Sequence, residues 1–283
     1  VNDYWTPLLR ATGDLALFEH HFPSAETPAV MDFMTFNADN PSSIFQCIRS
    51  ARENARMIRD QISDEMWEII NRLYHRVQTS ARPGVGQSEL YDFYQQVKEY
   101  SNLFAGVTES TYPHQIGYEF IKAGRYLERA EKTGRIIASK LHLFEDETPE
   151  APASLQWGAV LKACSASSAY QQTYKAEVRA RNVIELLVCS REFPRAMLYC
   201  LTQLQRAIHA VSGCPLTHYS NEAERRTGRI ISELSYTSIE ELLERGAMAF
   251  LQHTQEEIET ITLELSEKYM FFPVVDPASE AAG

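Results

Sequence analysis

The chain has 283 residues, and its 38 acidic and 27 basic side chains give a formal net charge of −11 at pH 7. This acidic balance argues against a general nucleic-acid binder, which needs surplus lysine and arginine to displace counterions, and against an anionic membrane surface. No apolar run is long enough for a membrane span, and the first ten residues lack the pattern of a signal peptide. The five cysteines include no CxxC pair, so we expect reduced thiols and a cytoplasmic protein.

Glycine and proline punctuate the sequence, and between them apolar residues recur at the spacing of an α-helix. The first regular helix follows Asn40-Pro41, with Asn40 expected as its N-cap. Ser63 is expected to cap the next helix, and Thr237 with Glu240 has the spacing of a capping box. No alternating pattern predicts a β-strand, so the predicted fold class is all-α.

Two of the predicted helices carry an unbroken heptad seam, which is expected for helices packed nearly parallel in a bundle. The first seam consists of Ile44, Ile48, Ala51, Ala55, Ile58 and Ile62. The second seam consists of Ile116, Phe120, Ala123, Leu127, Ala130, Gly134, Ile137 and Leu141. The second helix, predicted from about Pro113 to His142, would be ~45 Å long at ~1.5 Å per residue.

The sequence also contains an internal repeat. The stretch from Trp157 to Cys164 aligns with the stretch from Trp5 to Thr12 at an offset of 152 residues, and the first seam aligns with apolar residues at an offset of 153. We therefore predict a single α-helical domain over 1–283, a bundle with internal duplication. Its two pseudo-symmetric halves would cover about 1–112 and 113–272, with a break in composition at 145–152 and a tail at 273–283. The counterpart of the long helix would precede Val1, so we expect the N-terminal part of the first repeat to be missing.

Two stretches of the sequence resemble the alpha-E family, an α-helical family named after a Glu-Arg signature. They run Gly124-Arg-Tyr-Leu-Glu-Arg-Ala-Glu131 and Ala51-Arg-Glu-Asn-Ala-Arg56, and the resemblance extends over most of the chain. It implies a setting of ATP-dependent amide or peptide ligation, because such proteins are encoded beside, or fused to, ATP-grasp ligases and transglutaminase-like proteases. The implied partners are an ATP-grasp ligase and, in some systems, a transglutaminase-like protein. Family members usually begin with an earlier copy of the Glu-Arg helix, which this sequence lacks.

The first helix with a seam carries the strongest candidate for a binding site. Its arginines step by three, four and three residues and therefore form one basic stripe beside the apolar seam: Arg49, Arg52, Arg56 and Arg59. The equivalent residues at an offset of 153 are not arginines, which is what a site confined to one half would produce. Arginine forks suit carboxylates, phosphates and acyl phosphates. The alternative is that the stripe packs against acidic helices of the same chain.

A second group of candidates lies on the long helix, at Arg125, Glu128 and Arg129. Glu128 can pair locally with Arg125 or Lys132, and such exposed pairs contribute only ~0.3–0.5 kcal/mol each. A helix this long is expected to be covered on more than one side, so a buried interhelical network of Glu128 and Arg129 is the favoured interpretation. Arg125 is interpreted as a surface residue.

The sequence lacks the motifs of several classes of enzyme. The chain has no Glu-x-x-His pattern of ferritin-like di-iron proteins, no His-Glu-x-x-His, no Gly-x-Ser-x-Gly and no Walker-type phosphate loop. We therefore expect no metal and no cofactor, and no catalytic residue is assigned. His209 lies within an apolar helix and is interpreted as an interior residue, and Cys47 and Cys200 as packing residues.

Three functions remain open on this basis. The first is an accessory or partner protein of an ATP-grasp-type amide or peptide ligation system. The second is an enzyme of the same pathway, with an anion-binding site between the two halves. The third is a helical interaction scaffold without a small-molecule ligand.

Overall fold

The computed structural model describes residues 5–80, 87–145 and 153–270. Within these ranges the chain forms fourteen α-helices and one π-helical turn, and it contains no β-strand. The all-α fold class is therefore confirmed. None of the helices in these ranges is both long and apolar enough to cross a membrane. The chain divides into two compact units, Val1–His114 and Gln115–Gly283.

The described residues of the first unit form six α-helices. These are α1 (Thr6–Thr12), α2 (Leu15–His21), α3 (Thr27–Thr35), α4 (Ile44–Met57), α5 (Asp64–Ser80) and α6 (Gln87–Thr111). Two apolar clusters hold them together. One is centred on Leu9, Phe18, Val30 and Phe33 of the first three helices. The other joins α4, α5 and α6 through Ile48, Leu73, Val77 and Phe93.

The start of α4 differs from the prediction in its capping residue. Ser43, not Asn40, is the N-cap, and its hydroxyl accepts a hydrogen bond from the Gln46 amide. Asn40 is fully buried and holds the preceding turn, where its side chain accepts from the Ser42 amide and donates to the Phe33 carbonyl. The cap of α5 was predicted correctly, since Ser63 Oγ accepts from the Met66 amide.

The second unit is built around one long helix, α7 (Ile116–Glu145). The elements that follow are α8 (Ala153–Ala163), α9 (Ser167–Tyr174), α10 (Ala180–Ile184), a π-helical turn (Glu185–Cys189), α11 (Met197–Ser212), α12 (Glu222–Tyr236), α13 (Ile239–Glu244) and α14 (Ala247–Tyr269). Helix α7 packs most extensively against α11 and also contacts α8 and α14. With 30 residues it is ~45 Å long, as predicted. Trp157, Tyr170, Met197 and Leu201 are among the fully buried residues of the core.

The two predicted seams are only partly buried. In the first, Ala51 and Ile58 are exposed, and Ile58 lies beyond the last residue of α4. In the second, Ile116 and Phe120 are exposed at the start of α7, whereas the seam is buried further along at Ala130, Gly134 and Ile137. Gly134 lies where α14 approaches α7 closely, because an added Cβ would overlap the side-chain amide of Gln255.

Local backbone features recur at the offset predicted for the repeat. Helices α4 and α11 begin at residues that are 153 positions apart. Gly13 and Ser165, which are 152 positions apart, both adopt a left-handed conformation, with φ of 79° and 52°. A common origin of the two halves stays a prediction, as does their assignment to a single domain. The predicted break at 145–152 falls almost wholly outside the described residues, and the tail at 273–283 lies outside them entirely.

The position of one capping box and the exposure of one cysteine also differ from the predictions. The capping box before α13 joins Ser238 and Glu241, one residue later than predicted. Cys200 is buried as a packing residue should be, but Cys47 is exposed, so its interpretation as a packing residue is wrong. All five cysteines are free thiols.

Candidate functional site

The arginine stripe consists of Arg49, Arg52 and Arg56 on α4 and Arg59 in the turn that follows. Helix α4 is strongly amphipathic, so the stripe runs beside its buried face, where Ile48 and Ala55 point into the core. The surface is locally basic within an acidic chain, because α4 carries three arginines and a single glutamate.

Arg52 is the most firmly held residue of the stripe, with a side chain that is 22% exposed. Its Nε donates a hydrogen bond of 2.8 Å to Asn71 Oδ1 on α5, and its Nη1 donates to Glu53 Oε1 at 3.0 Å. The guanidinium carbon lies 4.6 Å from the centre of the Tyr74 ring and 5.6 Å from that of Trp67. Two aromatic rings and an amide of α5 therefore fix the plane of the guanidinium group.

The other arginines are held more loosely. Arg56 donates through Nε to Glu53 Oε2 at 2.8 Å, and this hydrogen bond, with the charges of Arg56 and Arg52, holds the pKa of Glu53 below its ordinary value. Arg59 forms an ion pair with Asp64 and lies 5.8 Å from the centre of the Trp67 ring. Arg49 is exposed, and its contact with a neighbouring glutamine side chain is long, at 3.5 Å.

The structure thus brings three of the four arginines together through shared neighbours, whereas Arg49 contacts Gln46 instead. Arg52 and Arg56 share Glu53, and Arg52 and Arg59 share Trp67. The neighbours from α5 are mainly an amide and aromatic rings rather than the acidic helices of the alternative interpretation. Rings and an amide stabilise a guanidinium group without neutralising it. Two carboxylates, Glu53 and Asp64, pair with the stripe, so its four arginines keep a surplus of positive charge that can hold a carboxylate or a phosphate.

The candidates on α7 do not form the buried network that was predicted. Glu128 is exposed, and it makes no ion pair with any residue in the described ranges. Arg129 is partly buried and lies 5.9 Å from the centre of the Tyr126 ring, and Arg125 is also partly buried. Burial and the neighbouring Tyr199 raise the pKa of Tyr126 despite these two cations. The prediction of a buried network is therefore wrong for Glu128.

Ion pairs of α7 lie on either side of Glu128, at Glu119 with Lys122 near the start of the helix and at Glu131 with Arg135 one turn further along. Glu131 and Arg135 form an i,i+4 pair with 2.7 Å between Oε1 and Nη2, and Glu259 of α14 lies 3.5 Å from the same Nη2. Gln255 donates a hydrogen bond of 3.1 Å to the Glu131 carbonyl. These contacts join α7 to α14 beside Gly134, and they account for the tight packing at that glycine.

Helix α12 carries charged residues that the sequence analysis missed. Glu222 pairs with Arg225 and Arg226, and Arg226 also pairs with Glu257 of α14. Glu224 is almost fully buried. A signal was present in the sequence, because Arg-Thr-Gly-Arg-Ile-Ile at 226–231 is similar to Lys-Thr-Gly-Arg-Ile-Ile at 132–137.

Together these features define an all-α protein with charged helices and a basic surface in its first unit. Over residues 2–270 the chain matches the model of the Alpha-E family, described as a predicted alpha-helical domain with a conserved ER motif. Because the match covers nearly the whole chain, the protein belongs to the Alpha-E family.

Similar proteins occur in mycobacteria. The chain is 24% identical over 241 residues to an uncharacterised protein of Mycobacterium bovis and to one of Mycobacterium tuberculosis. In each case the match covers 84% of this chain and 27% of the relative, so the chain spans about a quarter of the length of the curated relatives it matches. No solved structure matches the chain significantly.

The sequence contains three Glu-Arg pairs, which begin at Glu128, Glu224 and Glu244. The pair at Glu128 lies on α7 in the stretch that resembles the family signature. In the structure this pair presents an exposed carboxylate beside a partly buried guanidinium group.

Proposed function

We propose that the chain is an accessory protein of an ATP-dependent amide or peptide ligation system, and that the arginine stripe is the surface that receives an anionic group. The observation that carries the proposal is the position of Arg52, whose guanidinium group lies against Trp67 and Tyr74 and bonds to Asn71. A cation held in this way is already ordered, so the binding of a ligand does not include the entropic cost of ordering this side chain.

The chemistry of the stripe suits the anions of a ligation reaction. Carboxylates are the substrates of amide ligases, and acyl phosphates are their activated form. Arginine forks recognise both through paired hydrogen bonds. Arg56 and Arg49 extend the basic surface from Arg52 toward solvent, since both are exposed.

Membership of the Alpha-E family supports the ligation setting, because the resemblance implies an ATP-grasp ligase as a partner and, in some systems, a transglutaminase-like protein. The mycobacterial relatives are much longer than the matched region, so in those proteins the helical region is part of a larger polypeptide. Free thiols at all five cysteines fit the cytoplasmic location that we propose for such a system.

The proposal is tested by calorimetry with an ATP-grasp ligase that is encoded beside an Alpha-E gene. The test variant is Arg52→Ala/Arg56→Ala. The matched control is Arg206→Ala/Arg229→Ala, which removes two exposed arginines from the second unit. We expect the test variant to bind the ligase at least about tenfold more weakly, with a smaller salt dependence, and the control to bind like the parent chain.

Equal affinity of the test variant and the parent chain would refute the role of the stripe. The same titration is repeated with ATP, inorganic phosphate and glutamate in place of the ligase. Binding of one of these small anions that is lost only in the test variant would favour the enzyme of the same pathway over the accessory protein.

A further inference from the structure

A cluster of metal-ligating side chains lies in the second unit, at the connection between α11 and α12. His209 is in the last turn of α11, Cys214 is in the connecting loop, and Glu224 is in the first turn of α12. Each offers one ligand atom, and these atoms lie within 4.8 Å of one another. His209 is 5% exposed and Glu224 is 1% exposed, whereas Cys214 is accessible from solvent.

One hydrogen bond within the cluster determines which nitrogen of His209 carries the proton, and the Cys214 thiol lies 3.7 Å from the Pro215 carbonyl oxygen. Nδ1 of His209 lies 3.0 Å from the Cys214 carbonyl oxygen, which can only accept, so Nδ1 carries the proton. In the neutral ring this leaves the lone pair of Nε2 for a ligand. A histidine that binds a metal usually donates its other nitrogen to a carbonyl or a carboxylate in this way.

Glu224 has a structural role, but its carboxylate oxygens can accept further contacts. Its Oε2 accepts a hydrogen bond of 2.6 Å from the Ser220 amide, and both oxygens lie within 3.1 Å of the Ser220 hydroxyl. The Ser212 side chain is a further hydrogen-bond partner of this carboxylate. The contacts with Ser220 resemble a capping box at the start of α12, where Asn221 is the N-cap. A carboxylate has about four lone-pair positions, so the same group can also bind a metal ion.

We propose that His209, Cys214 and Glu224 form a zinc-binding site with three protein ligands and an open fourth position. A mixed set of nitrogen, sulfur and oxygen donors suits Zn²⁺ in tetrahedral geometry, whereas Mg²⁺ and Ca²⁺ prefer oxygen alone. Bond lengths of ~2.0–2.3 Å place tetrahedral ligand atoms about 3.3–3.7 Å apart, so the cluster must contract by about 1 Å. Rotation of the Cys214 side chain can supply this movement, because the residue lies in the connecting loop and is partly exposed.

The inference is independent of the arginine stripe, and it differs from the expectation of no metal that the sequence motifs gave. Chelator-treated chain is titrated with Zn²⁺ by calorimetry, and separately with Co²⁺, whose bond to a thiolate produces a charge-transfer absorption band. We expect one equivalent of Zn²⁺ per chain and a cobalt–thiolate band. Cys214→Ser should remove the band and weaken Zn²⁺ binding at least about tenfold. The control is Cys47→Ser, which removes an exposed thiol of the first unit and should change neither result.

A second measurement distinguishes the loss of a zinc ligand from a folding defect in the variants. Zn²⁺ should raise the melting temperature of the parent chain and of Cys47→Ser, because it binds the folded state, but not that of Cys214→Ser. Glu224→Gln, which keeps the shape of the side chain, should also weaken Zn²⁺ binding. The proposal is overturned if the parent chain binds no stoichiometric Zn²⁺, or if Cys214→Ser retains both the band and the affinity.

Discussion

Arg52→Ala should destabilise the chain by about 2 kcal/mol. Loss of the hydrogen bond from the charged guanidinium group to Asn71 accounts for about 1.5 kcal/mol, at the low end for charged groups because the site is partly exposed. Loss of the contact with the Tyr74 ring accounts for roughly 0.5–1 kcal/mol more. The ion pair with Glu53 adds little, because solvent screens it.

The assay is urea unfolding, followed by far-ultraviolet circular dichroism and by tryptophan fluorescence. Trp67 lies against Arg52 and, with Trp5, belongs to the first unit, whereas Trp157 belongs to the second, so the fluorescence reports on both units. The matched control is Arg56→Ala, whose side chain is 63% exposed and whose described contact is the pair with Glu53. Its effect should be much smaller than that of Arg52→Ala. Arg52→Lys should recover little stability, because a lysine keeps the charge but not the planar fork.

Equal effects of Arg52→Ala and Arg56→Ala would refute the reasoning, because they would mean that the contacts of Arg52 with α5 contribute nothing measurable. The result also determines which variant is the better test of binding at the arginine stripe. If Arg52→Ala is strongly destabilising, the single variant Arg56→Ala becomes the cleaner test of anion binding, because it removes a charge from the stripe and leaves the packing intact.

Two further predictions concern glycine and cysteine positions. Gly124→Ala should raise the melting temperature, because alanine is favoured over glycine in a helix by ~1 kcal/mol and an added Cβ contacts no other atom. Gly134→Ala should lower the melting temperature, because the added Cβ would displace the side chain of Gln255. Equal melting temperatures of the two variants would contradict this close approach. Cys47 should react with a thiol reagent within minutes at pH 8, and Cys200 only after unfolding, because burial raises the pKa of Cys200 to about 12. Rapid labelling of Cys200 in the folded chain, checked by mass spectrometry, would contradict its burial.

The sequence predicted those elements whose signals are local. Helix α7 was placed within about three residues at each end, because its heptad pattern is unbroken. The cap at Ser63 was also correct, since an acidic first turn follows it. Asn40 was misassigned for a tertiary reason. Its side chain bonds to the Phe33 carbonyl of α3, and no local pattern indicates that contact.

The candidate site was predictable in part for the same reason. The spacing of the arginines on α4 followed from helix geometry alone. Their partners on α5 could not be predicted from helix geometry. Asn71, Trp67 and Tyr74 become neighbours of Arg52 only through the packing of α4 against α5. The exposure of Glu128 was missed because the length of a helix does not determine which of its faces are covered.

The proposed zinc ligands could not be predicted from a sequence motif, because they come from a helix end, a loop and a helix start. The predicted repeat nevertheless relates them to the arginine stripe. Helices α4 and α11 begin 153 positions apart, and at this offset His209 is the equivalent of Arg56. If the repeat holds, one position of a common scaffold carries a guanidinium group for an anion in the first unit and an imidazole for a cation in the second. The two binding experiments are then each other's control: Arg52→Ala/Arg56→Ala should leave Zn²⁺ binding unchanged, and Cys214→Ser should leave ligase binding unchanged.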